Sequence, residues 1–307
     1  MSVTLDDVLV TRNPASGAEV GSVAVTGPEI VAEIVDRARD AQAAWAARPW
    51  AERRKVLAEG WRILGRDARA WSDLIRDEIG KPATEAMAGD VIPTLDALRW
   101  TVKRSGRLLA DERVGASWQR MLLMPAGRLR WAPYGVVGMI GTWNYPLFLN
   151  AAPIAQALAG GNAVVWKPSE MAIASGLKLQ QSLEEAGAPP GLVAAVYGRG
   201  EVGRALLESK VDKVMFTGGV ETGRRVLSTR AERATPASCS AASTATSPSC
   251  APPTASPSPP RPPAACAAPA ARSSCSCAAP PRSSRTSWRR SSRPSATRPG
   301  PTSTSDR

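Results

Sequence analysis

Residues 135 to 146 read Gly-Val-Val-Gly-Met-Ile-Gly-Thr-Trp-Asn-Tyr-Pro, and this stretch decides how the rest of the chain is interpreted. The apolar run 136–140 is rich in β-branched residues, as is typical of a strand covered on both faces. Gly141 allows a sharp turn, and Pro146 fits the first turn of a helix, where a missing N–H costs nothing. The pattern predicts a strand, a turn and a helix, with Asn144 at the carboxyl end of the strand, where open α/β sheets place ligands.

Three further stretches repeat this theme downstream. They are the run 163–167 ending in Lys167-Pro-Ser-Glu170, the string Gly198-Arg-Gly-Glu-Val-Gly203, and the run 214–223, Val-Met-Phe-Thr-Gly-Gly-Val-Glu-Thr-Gly. Taken singly they are weak signals, because Asn144 could be an ordinary turn residue and Lys167 with Glu170 a solvated ion pair. Their order and spacing together predict strands that alternate with helices, and therefore a parallel sheet with right-handed crossovers.

These motifs resemble the NAD(P)-dependent aldehyde dehydrogenase superfamily over about residues 10–233. The resemblance implies an α/β fold, with N-terminal helices and a cofactor-binding domain built on a Rossmann-like parallel sheet. It also implies an activity in which a cysteine thiolate attacks an aldehyde, hydride passes to NAD(P)+, and a glutamate-activated water releases the carboxylate. By the same resemblance, Asn144 is the catalytic side-chain amide that stabilises the oxyanion.

The resemblance further implies an NAD site, with NADP as the alternative cofactor. Lys167 and Glu170 match the pair that hydrogen-bonds the adenosine ribose, and a carboxylate there repels a 2′-phosphate, which favours NAD. Residues 216–219 match the turn that directs a helix N-terminus towards the pyrophosphate, although the family commonly has serine at Gly219. The expected cofactor-binding residues are Ile140, Thr142, Trp143, Lys167, Ser169, Glu170, Gly200, Gly203, Phe216, Thr217, Gly218, Gly219 and Thr222.

Composition divides the chain unequally. The formal net charge of +12 is concentrated after Arg233, where nine Arg and one Asp contribute +8. All five cysteines lie there as well, and the chain has no His, so we expect neither a metal site nor a disulfide framework. Because no apolar leader and no long apolar run are present, the sequence predicts a cytoplasmic protein that does not associate with membranes.

The sequence predicts an incomplete aldehyde-dehydrogenase-type unit over residues 1–233 and a disordered tail over 234–307. The tail contains almost only Ala, Ser, Pro, Thr, Arg and Cys, which cannot bury enough apolar surface to offset the cost of ordering. The family's Glu-Leu-Gly-Gly and Gly-Gln-x-Cys motifs are not recognisable in it. We interpret the tail as a frameshifted translation of a GC-rich gene, since a shift of one base in suitable codons for 237–247 restores Val-Val-Leu-Gly-Gly.

Three functions remain open from the sequence. The first is an oxidoreductase for a small-molecule aldehyde, of which this chain is an inactive fragment, and the second is a non-catalytic nucleotide-binding module or pseudoenzyme. The third, a nucleic-acid or acidic-surface binder acting through the tail, is disfavoured because the arginines lack interleaved aromatics and RGG-type repeats. Family members form homo-oligomers, but this chain lacks the strand that completes them.

Overall fold

The computed structural model describes residues 8–114 and 127–231, together with the backbone of 237–241. Within these ranges no helix combines the length and the apolar character needed to cross a bilayer.

The N-terminal part is mainly helical. A hairpin of β1 (Val8–Arg12) and β2 (Glu19–Ala24) precedes a short 3-10 turn and three long helices, α1 (Val31–Ala47), α2 (Trp50–Arg66) and α3 (Ala68–Ile79). The short helix α4 (Ala83–Ala86) continues through a π-helical turn, Met87–Val91, into α5 (Ile92–Leu108). A two-stranded antiparallel pair, β3 (Glu112–Val114) and β4 (Gly127–Leu129), closes this part.

The second part alternates strands and helices as the sequence predicts. Its elements are β5 (Val136–Ile140), α6 (Phe148–Ala159), β6 (Ala163–Lys167), α7 (Ile173–Glu185), β7 (Val193–Ala195), α8 (Gly200–Glu208), β8 (Lys213–Gly218), α9 (Val220–Ala231) and β9 (Ala237–Ala241). All five strands are parallel, in the order β7-β6-β5-β8-β9. This confirms the predicted parallel α/β sheet with preceding helices.

The core lies between this sheet and the helices that cover it. Strands β5 and β6 are buried along nearly their whole length, which explains their continuous apolar sequence. Trp45 and Trp71 are fully buried among the helices, and the Trp45 indole donates a hydrogen bond of 2.9 Å to the Leu158 carbonyl. The early helices therefore pack on the sheet, and α1 lies directly against β5, β6 and β7.

Three local details differ from expectation. Helix α6 begins at Phe148, so Pro146 lies in the turn before the helix. The Pro146 carbonyl there accepts a hydrogen bond of 2.7 Å from the side chain of Asn150. The residues from Met121 to Pro133 also predict a β-hairpin that turns at Pro125-Ala-Gly127. The strand Gly127–Leu129 of that prediction pairs instead with Glu112–Val114, and residues 121–126 lie outside the described residues. A parallel strand at Ala237–Ala241 carries ordered backbone beyond the boundary expected at 234, while the predicted disorder of the remaining tail lies outside the described residues.

Candidate functional site

A cleft of about 820 Å³ opens at the carboxyl ends of β5 and β6, between helices α8 and α9. Pockets of this size commonly hold small molecules and cofactors. The residues that line it are Ile140, Lys167, Glu170, Arg199, Gly200, Gly203, Arg204, Leu207, Glu221, Thr222, Arg224, Arg225, Val226, Ser228 and Thr229. Six of the expected cofactor residues, those at 140, 167, 170, 200, 203 and 222, are brought together here.

Lys167 is the central polar group of this cleft. It is the last residue of β6 and only 5% exposed, and its Nζ donates to the Pro168 carbonyl at 3.2 Å and to Glu170 Oε2 at 3.3 Å. Glu170 is about half exposed, so it reaches into the opening. A buried ammonium beside an accessible carboxylate can donate to one hydroxyl of a ligand and accept from another.

The opposite wall begins at the glycine string. No atom of the described residues lies within 4 Å of a Cβ built at Gly200. A Cβ at Gly203 would meet the Lys167 side chain at 3.4 Å, so α8 approaches the lysine closely. The carboxylate of Glu201 accepts from its own backbone N–H and from that of Arg199, and these bonds hold the pKa of Glu201 below its usual value, with a smaller contribution from Lys167. The start of α8 is thus ordered and open.

Positive charge dominates the rim of the cleft. Arg199, Arg204, Arg224 and Arg225 line it, with Glu208 pairing Arg204 and Glu221 lying near Arg224 and Arg225. An excess of cations around a concave opening favours an anionic ligand. We had not predicted these arginines, although the spacing of Thr222, Arg225, Val226 and Thr229 is that of one helix face and could have indicated the α9 wall.

The turn after β8 leads into helix α9, which forms one wall of the cleft. Phe216 is buried, and a Cβ at Gly218 would lie 2.6 Å from its ring, so the ring packs against the glycine backbone. Gly219 is exposed, and no atom lies within 4 Å of a Cβ built there. Of the expected residues, Phe216, Thr217, Gly218 and Gly219 do not line the cleft itself.

The loop carrying Asn144 lies apart from the cleft lining. Thr142 is buried, and its Oγ1 has no hydrogen-bond partner among the described residues. Trp143 lines a hollow of about 250 Å³ with Met171 and Glu170, and Glu170 also borders the cleft that Ile140 lines. Ser169 Oγ accepts from Met171 N at 3.3 Å, which closes the turn after Lys167.

This arrangement matches known proteins over most of the described residues. The sequence fits the model of the aldehyde dehydrogenase family over residues 4–246. The chain belongs to the aldehyde dehydrogenase family. It is 35% identical over 226 residues to the 4,4′-diapolycopene aldehyde oxidase of Methylomonas sp, an alignment covering 73% of this chain and 42% of that protein.

Solved structures of aldehyde dehydrogenases share the fold. The NADP-dependent glyceraldehyde-3-phosphate dehydrogenase from Bacillus halodurans C-125, solved with NADP, aligns at a TM-score of 0.68 and 34% identity, covering 76% of this chain and 48% of that one. The Mycobacterium tuberculosis aldehyde dehydrogenase complexed with NAD+ aligns at 0.71 and 29% identity, covering 78% and 49%. The chain spans about half the length of these relatives.

Proposed function

We propose that this chain binds NAD(P)+ in the cleft between α8 and α9, as the cofactor-binding part of an oxidoreductase that converts an aldehyde to a carboxylate. The observation that carries the proposal is Lys167, a buried cation at the carboxyl end of β6 beside the accessible Glu170. Two relatives of the same fold hold NADP and NAD+ respectively, which supports this class of ligand.

The residues of the cleft suit a dinucleotide. Lys167 would donate to a ribose hydroxyl and Glu170 would accept from one, which together orient the adenosine. The open backbone at Gly200 and the exposed start of α9 at Gly219 leave room for phosphate oxygens near helix N–H groups. When bound, the nicotinamide supplies hydride acceptance, while the chain's own residues bind and orient the cofactor.

Asn144 is the residue proposed to act on the substrate. A side-chain amide that donates to the developing oxyanion stabilises it without adding a charge of its own. The family's thiolate and water-activating glutamate have no recognisable counterpart in this sequence, and residues before Ala234 include no cysteine. The chain as given is therefore proposed to bind cofactor without turning over aldehyde, and a non-catalytic nucleotide-binding module is the alternative reading.

The composition of residues 234–307 supports the further hypothesis that a shift of reading frame separates this chain from a complete family member. The abrupt change to Ala, Ser, Pro, Arg and Cys is the change that a GC-rich gene produces out of frame. On this hypothesis the missing nucleophile and base are encoded in another frame downstream.

Calorimetric titration of the whole chain with NAD+ and with NADP+ tests the proposal. We expect saturable binding of both, with NAD+ bound more tightly because of Glu170, and no formation of reduced nicotinamide when aldehydes are added. Absence of binding to either dinucleotide would overturn the cofactor assignment. Turnover of an aldehyde would instead overturn the proposed inactivity and direct attention to the tail cysteines.

A further inference from the structure

A buried ammonium joins the loop of Asn144 to a segment about sixty residues earlier in the chain. The side chain of Lys81 is only 9% exposed. Its Nζ donates to Asp90 Oδ2 at 2.8 Å and to the backbone oxygen of Asn144 at 2.7 Å, and it lies 3.8 Å from the centroid of the Tyr145 ring. These contacts occupy the bonding capacity of an ammonium group, so Lys81 is committed to this loop.

Asp90 extends the link to the far side of the loop. Its side chain is fully buried, and its second oxygen, Oδ1, accepts from the backbone N–H of Phe148 at 3.3 Å, where α6 begins. Asp90 lies in the π-helical turn Met87–Val91, a type of irregularity often found at functional sites. The ion pair therefore contacts the backbone at both ends of the segment 144–148, which begins with Asn144.

The ring between these anchors is confined as well. A Cβ built at Gly89 would lie 3.1 Å from Tyr145 Cε1, so the ring lies between the Lys81 ammonium and the backbone of the π-helical turn. Asn150 Nδ2 holds the Pro146 and Thr142 carbonyls from within the loop, but these bonds do not reach residue 144. Among the described contacts, it is Lys81 that binds the backbone of Asn144.

Energetics favour a geometric role for this pair. Removing two charges from water costs about as much as their attraction returns, so a buried ion pair is weak evidence of net stabilisation. What the pair supplies is a fixed arrangement, because moving the loop would leave a buried ammonium or carboxylate without its partner. An amide that must meet a developing oxyanion needs such an arrangement in advance of the reaction.

We propose that Lys81 and Asp90 are positioning residues that set the location of the Asn144 side chain. They act through the Asn144 carbonyl and the Phe148 N–H, and neither lines the cleft between α8 and α9. The inference rests on the proposed role of Asn144 in binding the oxyanion.

Asparagine-selective isotope labelling can follow this side chain directly. The sequence has only four asparagines, Asn13, Asn144, Asn150 and Asn162, so the labelled chain gives four pairs of side-chain amide signals, and Asn144→Ala identifies the pair of interest. The main variant is Lys81→Met with Asp90→Leu, which removes both charges together and leaves neither buried alone. Lys178→Met is the control, because Lys178 also lies over an aromatic ring, that of Trp71 at 5.4 Å, and makes no hydrogen bond or ion pair with the loop among the described residues.

In the double variant we expect the Asn144 amide signals to shift towards those of a freely rotating side chain, while the signals of Asn13 and Asn162 keep their positions. The control should leave all four unchanged. If the double variant is folded and its Asn144 signals do not move, the positioning role is refuted. If the double variant fails to fold, the nearly isosteric Asp90→Asn decides by the same criterion, because its amide can bond Lys81 but cannot accept from Phe148 at the same time.

These spectra are recorded on the whole chain without cofactor, so they are independent of the proposed function. Titration of the same samples with NAD+ separates the two. A chain that fails to bind NAD+ but loses its Asn144 signal position in the double variant would refute the cofactor proposal and retain the positioning role. A chain that binds NAD+ but keeps its Asn144 signal in place in the double variant would retain the cofactor proposal and refute the positioning role.

Discussion

Lys167 is the buried cation of the cleft, and we expect it to contribute strongly to the affinity for NAD+. Its stem is covered by the sheet and by Gly203, and its head faces an accessible carboxylate and the open volume of the cleft. Lys167→Met keeps the stem and removes the donor, so we expect the Kd for NAD+ to rise roughly tenfold or more, because a hydrogen bond from a charged group is worth about 1.5–3 kcal/mol.

Lys213→Met is the control for this measurement. Lys213 begins β8 at the other end of the sheet, where its ammonium lies 4.7 Å from the Tyr134 ring centroid. Calorimetric titration should give this variant the Kd of the unaltered chain. Equal Kd values for the two lysine variants would remove Lys167 from the site.

In the proposed binding mode, Glu170 is the residue expected to set the preference between NAD+ and NADP+. Its side chain is 47% exposed, so the charge is partly screened and its repulsion of a 2′-phosphate is moderate. Glu170→Gln keeps the shape and removes the charge, and we expect the ratio of NADP+ to NAD+ affinity to rise about tenfold, from the removal of a repulsion of about 1–4 kcal/mol at contact distance. Competition between the two cofactors measures this ratio, and a ratio that stays constant would contradict the assignment.

At the scale of one element, two adjacent glycines before α9, Gly218 and Gly219, allow a direct comparison of two serine substitutions. Gly219 accepts the first helical hydrogen bond from Gly223 N at 2.9 Å, and a Cβ there meets no atom within 4 Å. Serine is preferred to glycine at such an N-cap by a few tenths of a kcal/mol. We expect Gly219→Ser to raise Tm slightly and to tighten NAD+ binding by adding a hydroxyl donor at the helix N-terminus.

Gly218→Ser should have the opposite effect, because its Cβ would lie 2.6 Å from the buried Phe216 ring. Displacing that ring costs about 1–3 kcal/mol, which thermal unfolding measures directly. Similar Tm values for the two serine variants would show that Phe216 does not restrict the turn.

Arg230 connects helix α9 by hydrogen bonds to the end of α8 and the segment that follows it. It is almost completely buried, and its guanidinium donates to the Leu207 carbonyl at 2.6 Å and to the Val211 carbonyl at 2.8 Å. Arg230→Met would leave buried carbonyls without these donors, so we expect Tm to fall by about 5–15 °C and NAD+ binding to weaken as the α9 wall loosens. The exposed Arg224→Met should leave Tm nearly unchanged, and an equal fall in both variants would refute this role for Arg230.

At the scale of the whole molecule, strand β9 is the feature that bears on the frameshift hypothesis. The segment Ala237–Ala241 pairs in parallel with β8, although Ala-Ser-Cys-Ser-Ala has none of the apolar β-branched character of the other strands. The frameshift hypothesis accounts for this mismatch, because the shifted codons can restore the apolar sequence Val-Val-Leu at the position of β9.

Sequencing of the gene through the codons for residues 226–307 and beyond tests that hypothesis. We expect a corrected frame that reads Val-Val-Leu-Gly-Gly through the strand and the family's Gly-Gln-x-Cys motif further on, which would supply the nucleophile. An unchanged frame would contradict the hypothesis and leave the proposed cofactor-binding chain without a recognisable family nucleophile motif.

The sequence by itself determined the parallel sheet, the order of its elements and six of the residues that line the cleft. These are encoded locally, because a buried strand, a glycine turn and a helix start each leave a pattern within about ten residues, and the strand ends at 140 and 167 necessarily meet at one edge of the sheet. Only the tertiary structure decided that arginines at the start of α8 and on α8 and α9 line the cleft, and that Lys81 and Asp90 contact the Asn144 loop. Such contacts depend on how helices pack across some sixty residues of chain, and no local pattern specifies which side chains then become neighbours.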